Sequence, residues 1–166
     1  AHSEITFKVK HLMISNVKGN FAKFEGTLQS DESNFNNANI NFSMDASSIT
    51  TGDAQRDTHL KSGDFFDAEK HPSISFKSET FSKTGDDTYA LNGQLTMKGV
   101  SKPVKLVAAF GGMMKDPWGQ EKAGFTLSGK INRKDWGLNW NTALETGGVL
   151  VSEEVQIAAD IQLVKK

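Results

Sequence analysis

Residues 56–66 read Arg-Asp-Thr-His-Leu-Lys-Ser-Gly-Asp-Phe-Phe and bring two acids and an imidazole, Asp57, His59 and Asp64, into one short charged segment. Three such groups suit acid–base hydrolysis or a divalent metal, with His2, His11 and His71 available from elsewhere in the chain. The spacing argues against both. A zinc pair on a helix needs ligands four residues apart so that they share a face. Asp57 and His59 are two apart and diverge on a helix. The preferred assignment is that Arg56, Asp57 and His59 cap the helix and pair its charges, tying it to neighbouring structure. The chain has no cysteine, which removes disulfides, thiol nucleophiles and thiolate metal sites. It also has no Gly-x-Ser-x-Gly elbow, and Gly111-Gly112 and Gly147-Gly148 are turn pairs that no phosphate-loop sequence follows. The expectation is a protein that is not an enzyme and holds no metal or cofactor. The alternative is a metal-dependent or hydrolytic rim site around Asp57, His59 and Asp64.

Aromatic residues carry more information. Phe65 and Phe66 point opposite ways if that segment is extended, one plugging the interior and one packing outside. In Trp136-Gly137-Leu138-Asn139-Trp140, period two places Trp136, Leu138 and Trp140 on one face beside Arg133 and Lys134. Indole has an apolar body and one N–H to satisfy, so this face suits a barrel mouth or a subunit contact. Met13-Ile14, next to His11-Leu12, is expected to form a second flap, and Trp118 to anchor its loop.

The elements that must position these groups are strands. Period-two alternation runs through Ile5 to Val9, Ala22 to Leu28, Ile40 to Met44, Ile74 to Phe76, Tyr89 to Met97, Val104 to Phe110, Ala123 to Ile131 and Val155 to Leu163. About eight strands with one apolar face each predict a mainly β fold, an antiparallel sheet closed into a barrel. One helix is expected at about residues 53–63, with Asp53 as N-cap, Leu60 facing inward and Gly63 ending it. Gly85-Asp86-Asp87 and Gly99-Val100-Ser101-Lys102-Pro103 read as hairpin links, and Asp31 to Asn39 as a loop. The 166 residues suffice for a single domain over 1–166 that buries roughly 70% of its unfolded surface. A net charge of −1 argues against nucleic acid as a partner. No apolar run approaches the roughly 20 residues of a membrane-crossing helix, so no transmembrane segment is expected. The chain opens on Ala1 rather than methionine. A cleaved secretory signal and a periplasmic location stand as the close alternative to the cytoplasm, which is preferred because nothing visible demands export.

A barrel of about eight strands is wide enough to be filled by side chains or to hold one small ligand. Small inward residues (Ala22, Gly26, Gly93, Ala108, Ala123, Gly129, Ala159) either leave room for that ligand or relieve strand coiling at corners. The residues alone leave both alternatives open.

Three segments, in order along the chain, carry a resemblance. The first is His2-Ser3-Glu4-Ile5 leading into Val9-Lys10-His11-Leu12-Met13-Ile14 and Val17-Lys18-Gly19-Asn20-Phe21. The second is residues 56–66. The third is Gly93-Gln94-Leu95-Thr96-Met97-Lys98-Gly99-Val100-Ser101-Lys102-Pro103-Val104. Together they resemble the YceI-like family of polyisoprenoid-binding, lipocalin-like barrel proteins over essentially the whole chain. Arg133, Asp135, Trp136 and Gly137 are similar to the family's run of a base, an acid, an aromatic and a glycine. The resemblance implies a non-catalytic bacterial carrier whose barrel encloses a long amphiphilic lipid: a polyisoprenoid, an isoprenoid quinone, or a fatty acid or its amide. It also implies a homodimer. The inward faces then predict a lining of Phe7, Phe24, Phe42, Met44, Phe76 and Leu91, continuing through Leu95, Leu106, Phe110, Phe125 and Ile157. Leu60, Phe65, Trp136 and Leu138 are expected near an end. A filled-barrel dimeric stress or adhesion module is the third alternative.

Overall fold

The computed structural model describes residues 3–12, 15–30, 35–139 and 151–164. Among the described residues ten strands and one α-helix follow one another: β1 (Glu4–His11), β2 (Ser15–Phe21), β3 (Phe24–Gln29), β4 (Asn39–Asp45), β5 (Ile49–Thr50), α1 (Ala54–Lys61), β6 (Ser73–Lys83), β7 (Thr88–Met97), β8 (Val100–Lys115), β9 (Glu121–Asn132) and β10 (Glu154–Val164). They form one antiparallel sheet in the order β3-β4-β6-β7-β8-β9-β10-β1-β2-β5. Alternation drives it. In β7, Tyr89, Leu91, Gly93, Leu95 and Met97 are buried, while the residues between them are half-buried or exposed.

The sheet differs from the expected eight-stranded closed barrel in two ways. Two strands escaped the pattern: Gly19 interrupts the apolar face of β2, leaving Val17 and Phe21 to mark it, and β5 has only two residues. Among the described residues the ladder also stays open, because β3 and β5 are its two edges. β2 and β3 are consecutive yet unpaired, since the bend between them gives its backbone groups to another segment. Ala22 N donates to Ser48 O at 3.1 Å, Lys23 N to Ser48 Oγ at 3.0 Å, and Asp45 N to Lys23 O at 2.9 Å. The result is a curled half-barrel whose concave side carries the core.

Local chemistry explains the connections. The β7–β8 link is a two-residue turn, with Lys98 and Gly99 both left-handed at φ 51° and 76°. That turn matches the twist of the flanking strands. Val100 to Pro103 therefore already pair with Met97 to Gln94, where a longer link was expected. Asp53 caps α1 as expected, its Oδ1 accepting from Gln55 N at 3.0 Å and Arg56 N at 3.1 Å. The helix ends at Ser62, one residue before Gly63, because the Ser62 N–H and hydroxyl both donate to His59 O. The chain then reverses, with Phe66 N donating to Leu60 O at 3.0 Å and Asp67 N to Ser62 O at 2.9 Å. This turn overturns the division of Phe65 and Phe66 between inside and outside. Both rings face the interior, Phe65 buried and Phe66 edge-on to Phe21 at 6.0 Å.

Residues Arg133–Trp136 form a 3-10 turn capped by Asn132, so the expected alternation fails there. Trp136 is 2% exposed and its Nε1 donates to Leu95 O at 2.8 Å. Trp118 departs from its expectation too: the indole expected to anchor its loop stands 84% exposed.

Candidate ligand-binding cavity

Inside the curl lies a cavity of about 510 Å³, within the roughly 300–1,000 Å³ range of small-molecule sites. Twelve of the fifteen residues assigned from inward faces lie on its wall. Phe7, Phe24, Phe42, Met44 and Phe76 come from β1, β3, β4 and β6; Leu95, Leu106, Phe125 and Ile157 come from β7 to β10. Leu60, Phe65 and Leu138 reach it from α1 and the loops. The other three are placed elsewhere. Leu91 is fully buried in the core, Phe110 packs on Phe35 and Phe125 at 5.5 and 5.2 Å, and Trp136 is spent on Leu95 O. Leu91 and Phe110 show that depth along the strand cannot be read from alternation, and Trp136 lies in the 3-10 turn where alternation does not apply.

Sequence reasoning passed over other wall residues, notably Phe21, Phe66, Ile74, Phe81 and Met97. Ile74 and Met97 were in the alternation already; Phe21 and Phe66 needed β2 and the turn after α1. Ring contacts stiffen the wall. Phe42 stacks on Phe76 at 5.0 Å, and Phe7 lies 5.9 Å from Phe21.

Small inward residues serve mostly close packing. A Cβ on Gly93 would collide with the Lys77 carbonyl oxygen and come 2.6 Å from Phe76 Cζ, next to the irregular pairing at Ser78/Thr80. The space at Gly129 is taken by Leu106. Ala22 sits exposed in the β2–β3 bend.

The wall is mainly apolar, with Glu25, Asn41, Gln55, His59 and Gln162 among its polar members, and it also carries two guanidinium groups that the fold holds in place. Arg133 is 3% exposed, with Nε donating to Ser152 O at 2.9 Å, one terminal nitrogen to Leu138 O at 2.6 Å and the other to Val151 O at 3.3 Å. Burial draws its pKa below the ordinary arginine value, against the opposing charge of Glu153. Its guanidinium lies 5.9 Å above the Phe65 ring. Arg56, at the start of α1, donates from Nε to Thr51 Oγ1 at 2.7 Å and from a terminal nitrogen to Thr51 O at 3.0 Å. Asp57 Oδ1 accepts from Thr51 N at 2.8 Å and Thr51 Oγ1 at 2.6 Å.

That geometry separates the acids and imidazole of residues 56–66. Asp57 is bound to Thr51, while His59 Nε2 meets Asp64 Oδ2 at 2.9 Å. Among the described residues no three His, Asp or Glu side chains gather closely enough to hold a metal ion. Charged groups here fix α1 to Thr51, the residue after β5, and to its own following turn. No described helix is long and apolar enough to cross a membrane, which says nothing about strands. His2, Met13, Ile14, Trp140 and the side chain of His11 lie outside the described residues. The arrangement offers a mainly apolar interior together with charged and hydrogen-bonding side chains on the same wall.

Comparison with known proteins agrees with this geometry. The sequence model of the YceI-like domain matches residues 1–163. A UPF0312 protein of Staphylococcus aureus is 37% identical over 163 residues, covering 98% of this chain and 92% of its own. The crystal structure of a Campylobacter jejuni YceI protein superposes with a TM-score of 0.81 at 34% identity, covering 96% of this chain and 91% of that one. A polyisoprenoid binding domain from Saccharophagus degradans shares the fold, with a TM-score of 0.72 at 11% identity over 99% of this chain and 94% of that one.

Proposed function

The chain belongs to the YceI-like domain family, and from that premise we propose that it is a binding protein that encloses the tail of a long amphiphilic lipid without transforming it. The observation that carries this proposal is the cavity of about 510 Å³ with its apolar, ring-stiffened wall. The Saccharophagus degradans domain of the same fold is described as polyisoprenoid binding. That supports an isoprenoid tail, as in a polyprenyl chain or isoprenoid quinone, with acyl chains sharing the same solubility.

The energetics are sufficient. About fifteen buried methylene equivalents contribute about 12 kcal/mol. An association cost of about 4 kcal/mol, the low end of its range, leaves about 8 kcal/mol, which corresponds to micromolar affinity. Such a wall discriminates poorly between tails, since one methylene is worth only about 1–3 kcal/mol even in a fitted pocket.

Native mass spectrometry of the purified protein, followed by organic extraction, tests the proposal. A co-purifying molecule with a long isoprenoid or acyl tail, recovered unchanged after prolonged incubation, is the expected result. A bare protein mass together with no uptake of added polyprenyl or acyl lipid refutes it. The proposal includes a homodimer, which light scattering of the same sample checks directly.

A further inference from the structure

Among the described residues six large apolar side chains stand exposed, and four of them, Met113, Met114, Trp118 and Val164, are at one end of the molecule. Ladder register brings them together. Met113 pairs with Ala123 and Met114 with Lys122 across the β8–β9 hairpin; Ala123 and Lys122 then pair with Leu163 and Val164 of β10. Trp118 occupies the turn between β8 and β9. The last pair between β7 and β8 is Thr88 with Ala109, so β8, β9 and β10 run on together beyond β7 to Lys115, Glu121 and Val164, and the turn over residues 116–120 stands past their paired ends.

The turn is built to hold the indole out. Asp116 Oδ1 accepts from Trp118 N and Gln120 N, both at 2.9 Å, while Asp116 N donates to Gln120 O at 2.9 Å. Gly119 N donates to Asp116 O at 3.0 Å, and Lys122 Nζ lies 3.4 Å from Asp116 Oδ2. A rigid turn presenting a side chain that is 84% exposed leaves its apolar surface in water at a cost in free energy.

The tip is also continuous with the cavity. The register shift between Phe110 and Gly112, where Gly112 takes φ 118°, sets Met113 opposite Ala123 on the inner face. Leu163, the other ladder partner of Ala123, lines the cavity. An apolar path therefore runs from the end of the hairpin through Met113, Ala123 and Leu163 to the cavity wall. Met114 and Val164 flank Lys122 on the outer face.

We propose that the β8–β9 tip is a membrane-docking element that inserts Trp118, Met113 and Met114 into the surface of a lipid bilayer and sets the adjoining cavity rim against it. Size favours a bilayer over a protein partner. The turn over residues 116–120 with Met113, Met114 and Val164 beside it is a handful of residues, against the roughly 20–30 residues a side that a stable protein interface uses, whereas fluid lipid closes around so small a feature. Composition agrees, because indole and lysine together suit the membrane–water boundary. The hairpin's charges balance, Lys115 and Lys122 against Asp116 and Glu121, so the attraction is apolar and depends little on lipid charge. The tip's purpose rests on the lipid-carrier function proposed above, but docking itself does not.

Co-sedimentation with phosphatidylcholine vesicles, with and without phosphatidylglycerol, tests the proposal on the full chain. The parent should bind both and remain bound in about 0.5 M NaCl, where charge attraction is screened. W118S/M114S should bind roughly a hundredfold more weakly, about tenfold or 1.4 kcal/mol per side chain, with an unchanged melting temperature. Subtracting the fluorescence of W118F isolates Trp118, whose emission should shift to the blue with vesicles and be quenched by brominated lipid. Absence of vesicle binding by the parent, equal binding by W118S/M114S, or loss of binding in salt overturns the proposal. Conversion of a parent dimer to a monomer by W118S/M114S also overturns it, making the tip a subunit contact. Extraction of the same samples separates docking from cargo. Tail lipid retained in W118S/M114S while docking is lost supports both functions. A parent that docks but yields and takes up no tail lipid supports docking and removes the carrier function.

Discussion

Replacing Leu95 with tryptophan tests the central claim, that the interior holds a ligand rather than only side chains. Leu95 is 5% exposed, faces Phe76 across the β6–β7 ladder and lines the cavity. Its backbone carbonyl receives the Trp136 indole N–H, so that strand position is fixed. The new side chain adds about six heavy atoms, and if they enter the cavity they displace about six methylene equivalents of tail. At about 0.8 kcal/mol each that is about 5 kcal/mol, a loss of more than a thousandfold in affinity. Stability should barely change, because indole fills space the apo protein leaves open. A filled barrel responds in the opposite way: overpacking costs about 1–3 kcal/mol, and each kcal/mol lowers Tm by about 2–4 °C in a chain of this size. The assays are calorimetric melting, retention of extractable lipid by native mass spectrometry, and titration of the delipidated protein with the extracted lipid. Val107→Trp is the control, since Val107 is 56% exposed on the outer face and should change neither quantity. If Leu95→Trp binds within about threefold of the parent, or melts several degrees lower with no ligand lost, the reasoning from the cavity is refuted.

Three further outcomes test the structural claims. Arg133→Met should cost about 3 kcal/mol or more in chemical denaturation, because it strips a charged donor from the carbonyls of Leu138, Val151 and Ser152. Arg133→Lys should recover only part, since an ammonium lacks the planar fork; equal stability of all three proteins would refute the role. Gly93→Ala should cost about 1–3 kcal/mol because its Cβ meets the Lys77 backbone. Gly129→Ala, which first meets the movable end of Leu106, should cost less, and the reverse order would show that the strand approach is misjudged. Acid should destabilise the fold. Hydrogen bonds from Ser47 lower the pKa of Asp45; burial raises that of Asp116, but bonds from Gln120, Trp118 and Lys122 outweigh it; Lys134 lowers that of Glu153. Carboxylates depressed on folding stabilise the native state above their unfolded pKa of about 4. That stability is lost as pH falls through the folded values, so Tm should hold near neutrality and fall below about pH 4. Asp116→Asn should flatten that fall, and an unchanged profile would count against its assigned role.

Alternation of apolar residues, the cap at Asp53 and the spacing of Asp57 and His59 settled a great deal before any coordinates. Eight of the ten described strands and the helix follow from them, since period two and local capping depend only on neighbours along the chain. The divergence of Asp57 and His59 was equally legible, because helical spacing alone dictates it. Tertiary structure decided what depends on distant partners. Phe65 and Phe66 share one side because the chain reverses onto Leu60, and Trp136 is buried because a 3-10 turn rotates it toward Leu95 O. Trp118 is exposed because Asp116 holds the turn that presents it. The ladder stays open because Ser48 and Asp45 take the bonds of the β2–β3 bend. Whether the interior is full or hollow was likewise beyond alternation, which gives the face a side chain occupies and never how far it reaches across to the opposite wall.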